Sequence, residues 1–70
     1  MIRINPAVSY REKNGTYVFY YDFNYLFFSD TAAHLISKLL RLLSKKKTLV
    51  SLPGPFIEYL KMKKIIEEKK

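Results

Sequence analysis

Hydrophobic and polar positions change their period once along this chain, at Ser29. Ahead of it, Tyr17 to Phe28 is aromatic or aliphatic except at Asp22 and Asn24, a composition that suits two short strands joined by a tight turn. Behind it, Ala32, Leu35, Ile36, Leu39, Leu40 and Leu43 recur at spacings of three and four. That stripe predicts a helix from Asp30 to Leu43, with Ser29 or Asp30 accepting a backbone N–H as N-cap.

The flanks extend the pattern. Ile2 and Ile4 alternate with Arg3 and Asn5 ahead of Pro6, which has no N–H to give a ladder, so pairing there belongs at an edge. Val8 and Tyr10 oppose Ser9 and Arg11 with period two, predicting a first strand from Ala7 to Glu12. Asn14-Gly15 comes next, and both residues tolerate the positive φ of a two-residue hairpin. A second strand, Thr16 to Asp22, sets Tyr17, Phe19 and Tyr21 on one face and Val18 and Tyr20 on the other. Helices covering one side account for the first face, and tyrosines keeping a wet hydroxyl account for much of the second. Asp22-Phe23-Asn24 suits a turn or a bulge. A third strand, Asn24 to Phe28, then closes an antiparallel meander and leaves one edge free unless the C-terminus covers it.

After the helix, Ser44-Lys45-Lys46-Lys47 places cations at the negative end of its dipole. Thr48 to Leu52 is short enough for one helical turn or an extended link, and Pro53-Gly54-Pro55 makes a firm break. Pro55 fits the first position of a last helix in which Phe56, Ile57 and Leu60 face the core, with Lys61 and Lys64 one turn apart on another side. Ile65-Ile66 is the final apolar pair, and Glu67-Glu68-Lys69-Lys70 reads as a frayed tail. The expected fold is α+β: one domain over residues 1–70, a three-stranded antiparallel meander followed by two or three helices, winged-helix-like. Val8, Leu35, Ile36, Leu39, Leu40, Phe56 and Leu60 are its expected buried positions.

Charge narrows the function. Thirteen basic against six acidic residues give +7 on 70 residues, which favours an acidic partner: a peptide, nucleic acid or an anionic surface. A chain this short buries only about 60% of its unfolded surface, so a partner is also a natural source of stability. With no cysteine there is no disulfide and no thiolate metal site. No apolar run is long enough to span a bilayer, and Arg3, Asn5 and Pro6 interrupt any signal-like start. The expectation is a soluble, cytoplasmic protein.

Catalytic chemistry finds no constellation. Glu12, Asp22, Asp30, Glu58, Glu67 and Glu68 are scattered over hairpin, turn, cap, helix and tail, and two glycines cannot form a phosphate-binding loop. The lone His34 falls with Lys38, Arg41 and Lys45 on the helix face opposite the leucines, where a solvated basic face is the simplest reading. No enzyme activity, metal or cofactor is expected. The chain should work by binding.

The order strand, Asn-Gly hairpin, strand, strand, helix, link, helix resembles the PqqD-like domains, or RiPP recognition elements. Ile4-Asn5-Pro6-Ala7-Val8 leading into Ser9-Tyr10-Arg11-Glu12 carries the likeness, as does Leu26-Phe27-Phe28-Ser29-Asp30-Thr31-Ala32-Ala33. So do Leu39 and Leu40 ahead of Thr48, and the closing Phe56-Ile57-Glu58-Tyr59-Leu60 with Ile65-Ile66. The early segment is also similar to the small peptide chaperone of the mycofactocin pathway. The chain differs in having Ser44-Lys45-Lys46-Lys47 where the family usually has an Asp-Gly turn, and a shorter middle segment.

The resemblance implies a leader-peptide chaperone that hands a ribosomally made precursor to a modifying enzyme such as a radical SAM enzyme or a protease. It implies a leader added as an antiparallel strand on the third strand and lying against the last helix. That places the peptide-binding residues at Tyr25, Leu26, Phe27 and Phe28 on one side and Ile57, Leu60, Lys61 and Lys64 on the other. An uncharged aromatic edge strand wants a cover on physical grounds too, and flanking lysines suit an acidic leader.

Two other classes fit the composition. A winged-helix-like protein of this charge could bind nucleic acid through Lys38, Arg41, Lys45, Lys46 and Lys47, although that face has one arginine and no Asn or Gln to read base edges. A dimerisation or structural module could pair the same free edge with a second copy.

Overall fold

A computed structural model describes residues 2–68. The elements run β1 (Ile2–Ile4), β2 (Ser9–Lys13), β3 (Thr16–Tyr21), β4 (Asn24–Phe28), α1 (Asp30–Ser44), α2 (Gly54–Met62) and β5 (Ile66–Glu68). β2, β3 and β4 form an antiparallel meander with β3 in the centre, and β1 and β5 form a separate two-stranded antiparallel ribbon. The class is α+β.

Both meander connections are two-residue turns with left-handed central residues: Asn14 (φ 52°) and Gly15 (φ 80°), then Asp22 (φ 52°) and Phe23 (φ 64°). Two positive φ values make type I′ turns, whose twist matches that of the strands. Asn-Gly adopts this at little cost, and the Glu12 carboxylate accepts the Gly15 N–H at 2.8 Å. Asp22-Phe23 adopts it against preference, helped by Asn24 Nδ2 donating to the Asp22 carbonyl at 3.0 Å. The second connection is therefore a turn and not a bulge. β2 starts at Ser9, later than expected, because Val8 gives its N–H to the Asn5 carbonyl (2.9 Å) in a turn.

The register sets Phe19 opposite Tyr10 and Leu26, and Tyr17 opposite Phe28. These side chains share the inner face, on which α1 packs. Phe19, Ile36, Leu39 and Leu60 are fully enclosed, and Phe28, Ala33, Leu52, Ile57, Ile65 and Ile66 complete the core. The rings interlock: Tyr10 stacks on Phe19 at 5.1 Å, and Phe28 meets Phe19 and Phe56 edge-on at 5.6 and 6.3 Å. Val8, Leu35, Leu40 and Phe56, expected inside, pack partly buried at the rim. For Leu35 and Leu40 the reason is rotation, since α1 buries Ala33, Ile36 and Leu39 and so turns its flanking apolar positions outward.

Several ends differ from expectation. Ser29 sits at the N-cap of α1 with extended backbone, but its side chain makes no cap bond, and only its carbonyl is used, by the Ala33 N–H at 3.3 Å. Residues 48–52 are an irregular link in which Leu52 donates to the Leu49 carbonyl (3.0 Å) and buries its side chain, so there are two helices among the described residues. α2 begins at Gly54 behind the N-cap Pro53, placing Pro55 second in the helix rather than first.

The expected frayed tail is corrected in part: Glu67 and Glu68 belong to β5, while Lys69 and Lys70 lie outside the described residues. Arg3 faces Glu67 across the ribbon and contacts its carboxylate at 2.6 and 2.7 Å. Being exposed, this pair contributes at most about 1 kcal/mol. Asn5 clamps the same corner, its N–H on the Ile65 carbonyl (2.9 Å), its Nδ2 on the Lys64 carbonyl (2.9 Å) and its Oδ1 taking the Ala7 N–H (3.0 Å).

Candidate functional site

β4 is an outer strand of the meander, and among the described residues no strand pairs with its far side, because β5 is engaged by β1. The turn type fixes which main-chain groups are free. A two-residue hairpin closes on a hydrogen-bonded pair, here Tyr21 and Asn24, and pairs then alternate. Leu26 and Phe28 therefore spend their N–H and C=O on β3. Tyr25 and Phe27 point theirs away from the sheet.

α2 runs beside that edge, its Phe56 against Phe28 at one end and its Met62-Lys63-Lys64 terminus facing Leu26 at the other. Between them, under the β3–β4 hairpin, lies a groove of about 320 Å³, floored by Phe19. Tyr21, Asp22, Asn24, Tyr25 and Leu26 of the hairpin line it with Met62, Lys63, Lys64 and Ile65 at and beyond the end of α2, so that one carboxylate faces two ammoniums. A hollow of about 360 Å³ with a similar balance of charge, Lys46 and Lys47 against Glu68, lies elsewhere, at the end of α1 and away from the β4 edge.

Helix α2 ends with the Lys64 N–H on the Lys61 carbonyl (3.0 Å) and the Ile65 N–H on the Leu60 carbonyl (2.9 Å), the paired bonds of a Schellman turn. Lys64 holds the left-handed position (φ 63°) that such turns normally give to glycine. Lys46 does the same after α1 (φ 56°), with Lys46 bonded to Leu43 at 3.1 Å and Lys47 to Leu42 at 2.9 Å.

The eight residues expected to meet a peptide do not all line one surface. Tyr25 and Phe27 are 62% and 68% exposed, with side chains on the outer face of the sheet and main chain on the free edge. Leu26 and Lys64 line the groove. Phe28, Ile57 and Leu60 are buried core residues that do not line the groove and offer a ligand almost no surface. Lys61 is half-buried and borders a neighbouring hollow with Asn5, Tyr21 and Glu67. Helical spacing pairs Lys61 with Lys64, but the helix stops at Met62 and the left-handed turn redirects the chain beyond it. Met62 and Lys63 take the place expected of Lys61, with the Lys63 ammonium 5.8 Å from the Tyr59 ring centre. No periodicity in the sequence signals either.

Chemically, the site offers unpaired backbone donors and acceptors, an apolar strip, two cations and the Asp22 carboxylate. Among the described residues no three His, Cys, Asp or Glu side chains gather as a metal site, and no helix is long and apolar enough to cross a membrane. No family model, curated protein or solved structure matches the chain.

Proposed function

We propose that the chain binds the leader of a ribosomally synthesised precursor peptide as an antiparallel strand added to β4, and presents it to a modifying enzyme. The observation that carries this reading is the free edge at Tyr25 and Phe27 beside a groove edged by Lys63 and Lys64. Strand addition draws affinity from main-chain hydrogen bonds that the sheet already holds in register, and specificity from side-chain pockets on either side of the new strand. A formal charge of +7 attracts an acidic leader and speeds its encounter. The run of strand, hairpin, strand, strand, helix, link and helix also resembles that of the PqqD-like domains, in which the leader occupies the edge of the third strand, although here residues 48–52 are irregular and β5 follows the last helix.

The test is a titration of the labelled precursor encoded beside this chain. Changing Lys63 and Lys64 together to glutamate reverses the groove's charge at two exposed positions; both lie at the negative end of α2, so each exchange costs about 0.3–1 kcal/mol of stability. The leader should bind roughly tenfold more weakly or worse, about 1.4 kcal/mol, while the melting curve moves down by a few degrees and stays cooperative. Unchanged affinity, or no affinity of the parent protein for a neighbouring precursor, would reduce the likeness to one of fold.

A further inference from the structure

The outer face of the meander is as unusual as its edge. Val18, Tyr20, Tyr25 and Phe27 share it with Arg11 and Lys13, and no carboxylate occupies a strand position there. The rings form one stripe, Tyr20 to Tyr25 at 4.8 Å with planes tilted by 50° and Tyr25 to Phe27 at 6.4 Å with planes 24° apart. This stripe runs up to the free edge and stops. A strand added to β4 would continue it, since residues directly opposite one another in an antiparallel pair turn their side chains to the same face.

We infer that the peptide recognised here carries large apolar, preferably aromatic, side chains at two alternate positions, opposite Tyr25 and Phe27, and turns the residue between them into the groove. This rests on strand addition to β4. The outer pair extends the ring stripe by cross-strand stacking. The middle side chain shares the face of Leu26 and meets Met62, Lys63 and Lys64, whose two ammoniums outnumber the Asp22 carboxylate at the hairpin end of the groove. That is an environment for an aliphatic stem with an acidic tip, as in glutamate. A second copy of the chain also presents Tyr25-Leu26-Phe27, yet pairing two molecules of charge +7 each is opposed by their repulsion, so an acidic peptide is the occupant that fits.

The experiment is selection of displayed random eight-residue peptides on the intact protein, with Phe27→Pro as the counter-target. Proline at 27 removes an N–H that points out of the sheet, so the fold is kept; Tyr25→Pro is the second edge variant, and melting curves establish that each is folded. Enriched peptides should share apolar residues at alternate positions and lose binding to the edge variants. Serine at either peptide position, or at Tyr25 or Phe27, should then weaken binding by about fivefold. Edge-dependent peptides with no alternate-position preference would overturn the inference and leave strand addition standing. Failure to enrich any edge-dependent peptide would overturn both. A micromolar dimer by sedimentation that disappears in Phe27→Pro would show the stripe pairs with itself, and would also overturn it.

Discussion

Lys64→Gly should make the protein more stable and worse at binding. Lys64 holds φ 63° at the position after the α2 cap, with its N–H on Lys61 and its carbonyl held by Asn5. A left-handed L-residue costs about 1–2 kcal/mol. Glycine removes that cost but gives back about 0.5–1 kcal/mol through the freedom of its unfolded chain. The net gain lies between about zero and 1.5 kcal/mol, and its midpoint of about 0.75 kcal/mol moves Tm by about 3–6 °C in a domain of this size. The same change deletes one groove cation, and an exposed charge contact is worth about 0.2–1 kcal/mol, so leader affinity should fall by roughly 1.4-fold to fivefold. Lys46→Gly is the control: the same turn geometry at the end of α1, the same loss of one charge, and no place in the groove. Calorimetry and a fluorescence titration read both quantities on both variants. The reasoning fails if neither variant melts higher, or if Lys46→Gly weakens leader binding as much as Lys64→Gly does.

The same geometry carries other outcomes. Phe23→Gly relaxes an 88% exposed residue in the left-handed half of a type I′ turn and should stabilise by about 1 kcal/mol, read by urea denaturation; a loss would mean the ring packs in solution. Phe19→Ala empties the centre of the core at a cost of about 3–5 kcal/mol, comparable with the whole stability of a small domain, so circular dichroism should show it largely unfolded. Duplex DNA titrated at two salt concentrations should bind weakly and steeply salt-dependently; submicromolar binding that persists in Phe27→Pro would favour the nucleic-acid reading.

The parts of the fold that local chemistry decides were readable along the chain. Asn14-Gly15 demanded a hairpin, and the change of period at Ser29 separated β4 from α1 within a residue. β5 was hidden because its partner lies more than sixty positions away, and Glu67 and Glu68, read locally, look like solvated tail. The free edge was legible because a three-stranded meander must leave its last strand half-paired. Of the lysines beside it, helical spacing points to Lys64 but pairs it with Lys61 where Lys63 stands, since a helical period says nothing once the helix has ended at Met62. Phe28, Ile57 and Leu60 looked available for a ligand only because periodicity distinguishes an inward face from an outward one without saying how deeply the inward face is covered.

Residue-resolved amide exchange with and without the leader tests strand addition most directly. In the free protein the amides of Leu26 and Phe28, bonded to β3, should exchange slowly, and those of Tyr25 and Phe27 quickly. Saturating leader should slow Tyr25 and Phe27 while leaving the opposite edge of the meander, at Tyr10 and Glu12, unchanged. Tyr25 and Phe27 amides that stay fast in the complex, with protection gained at β2 or along α1 instead, would contradict binding at this edge.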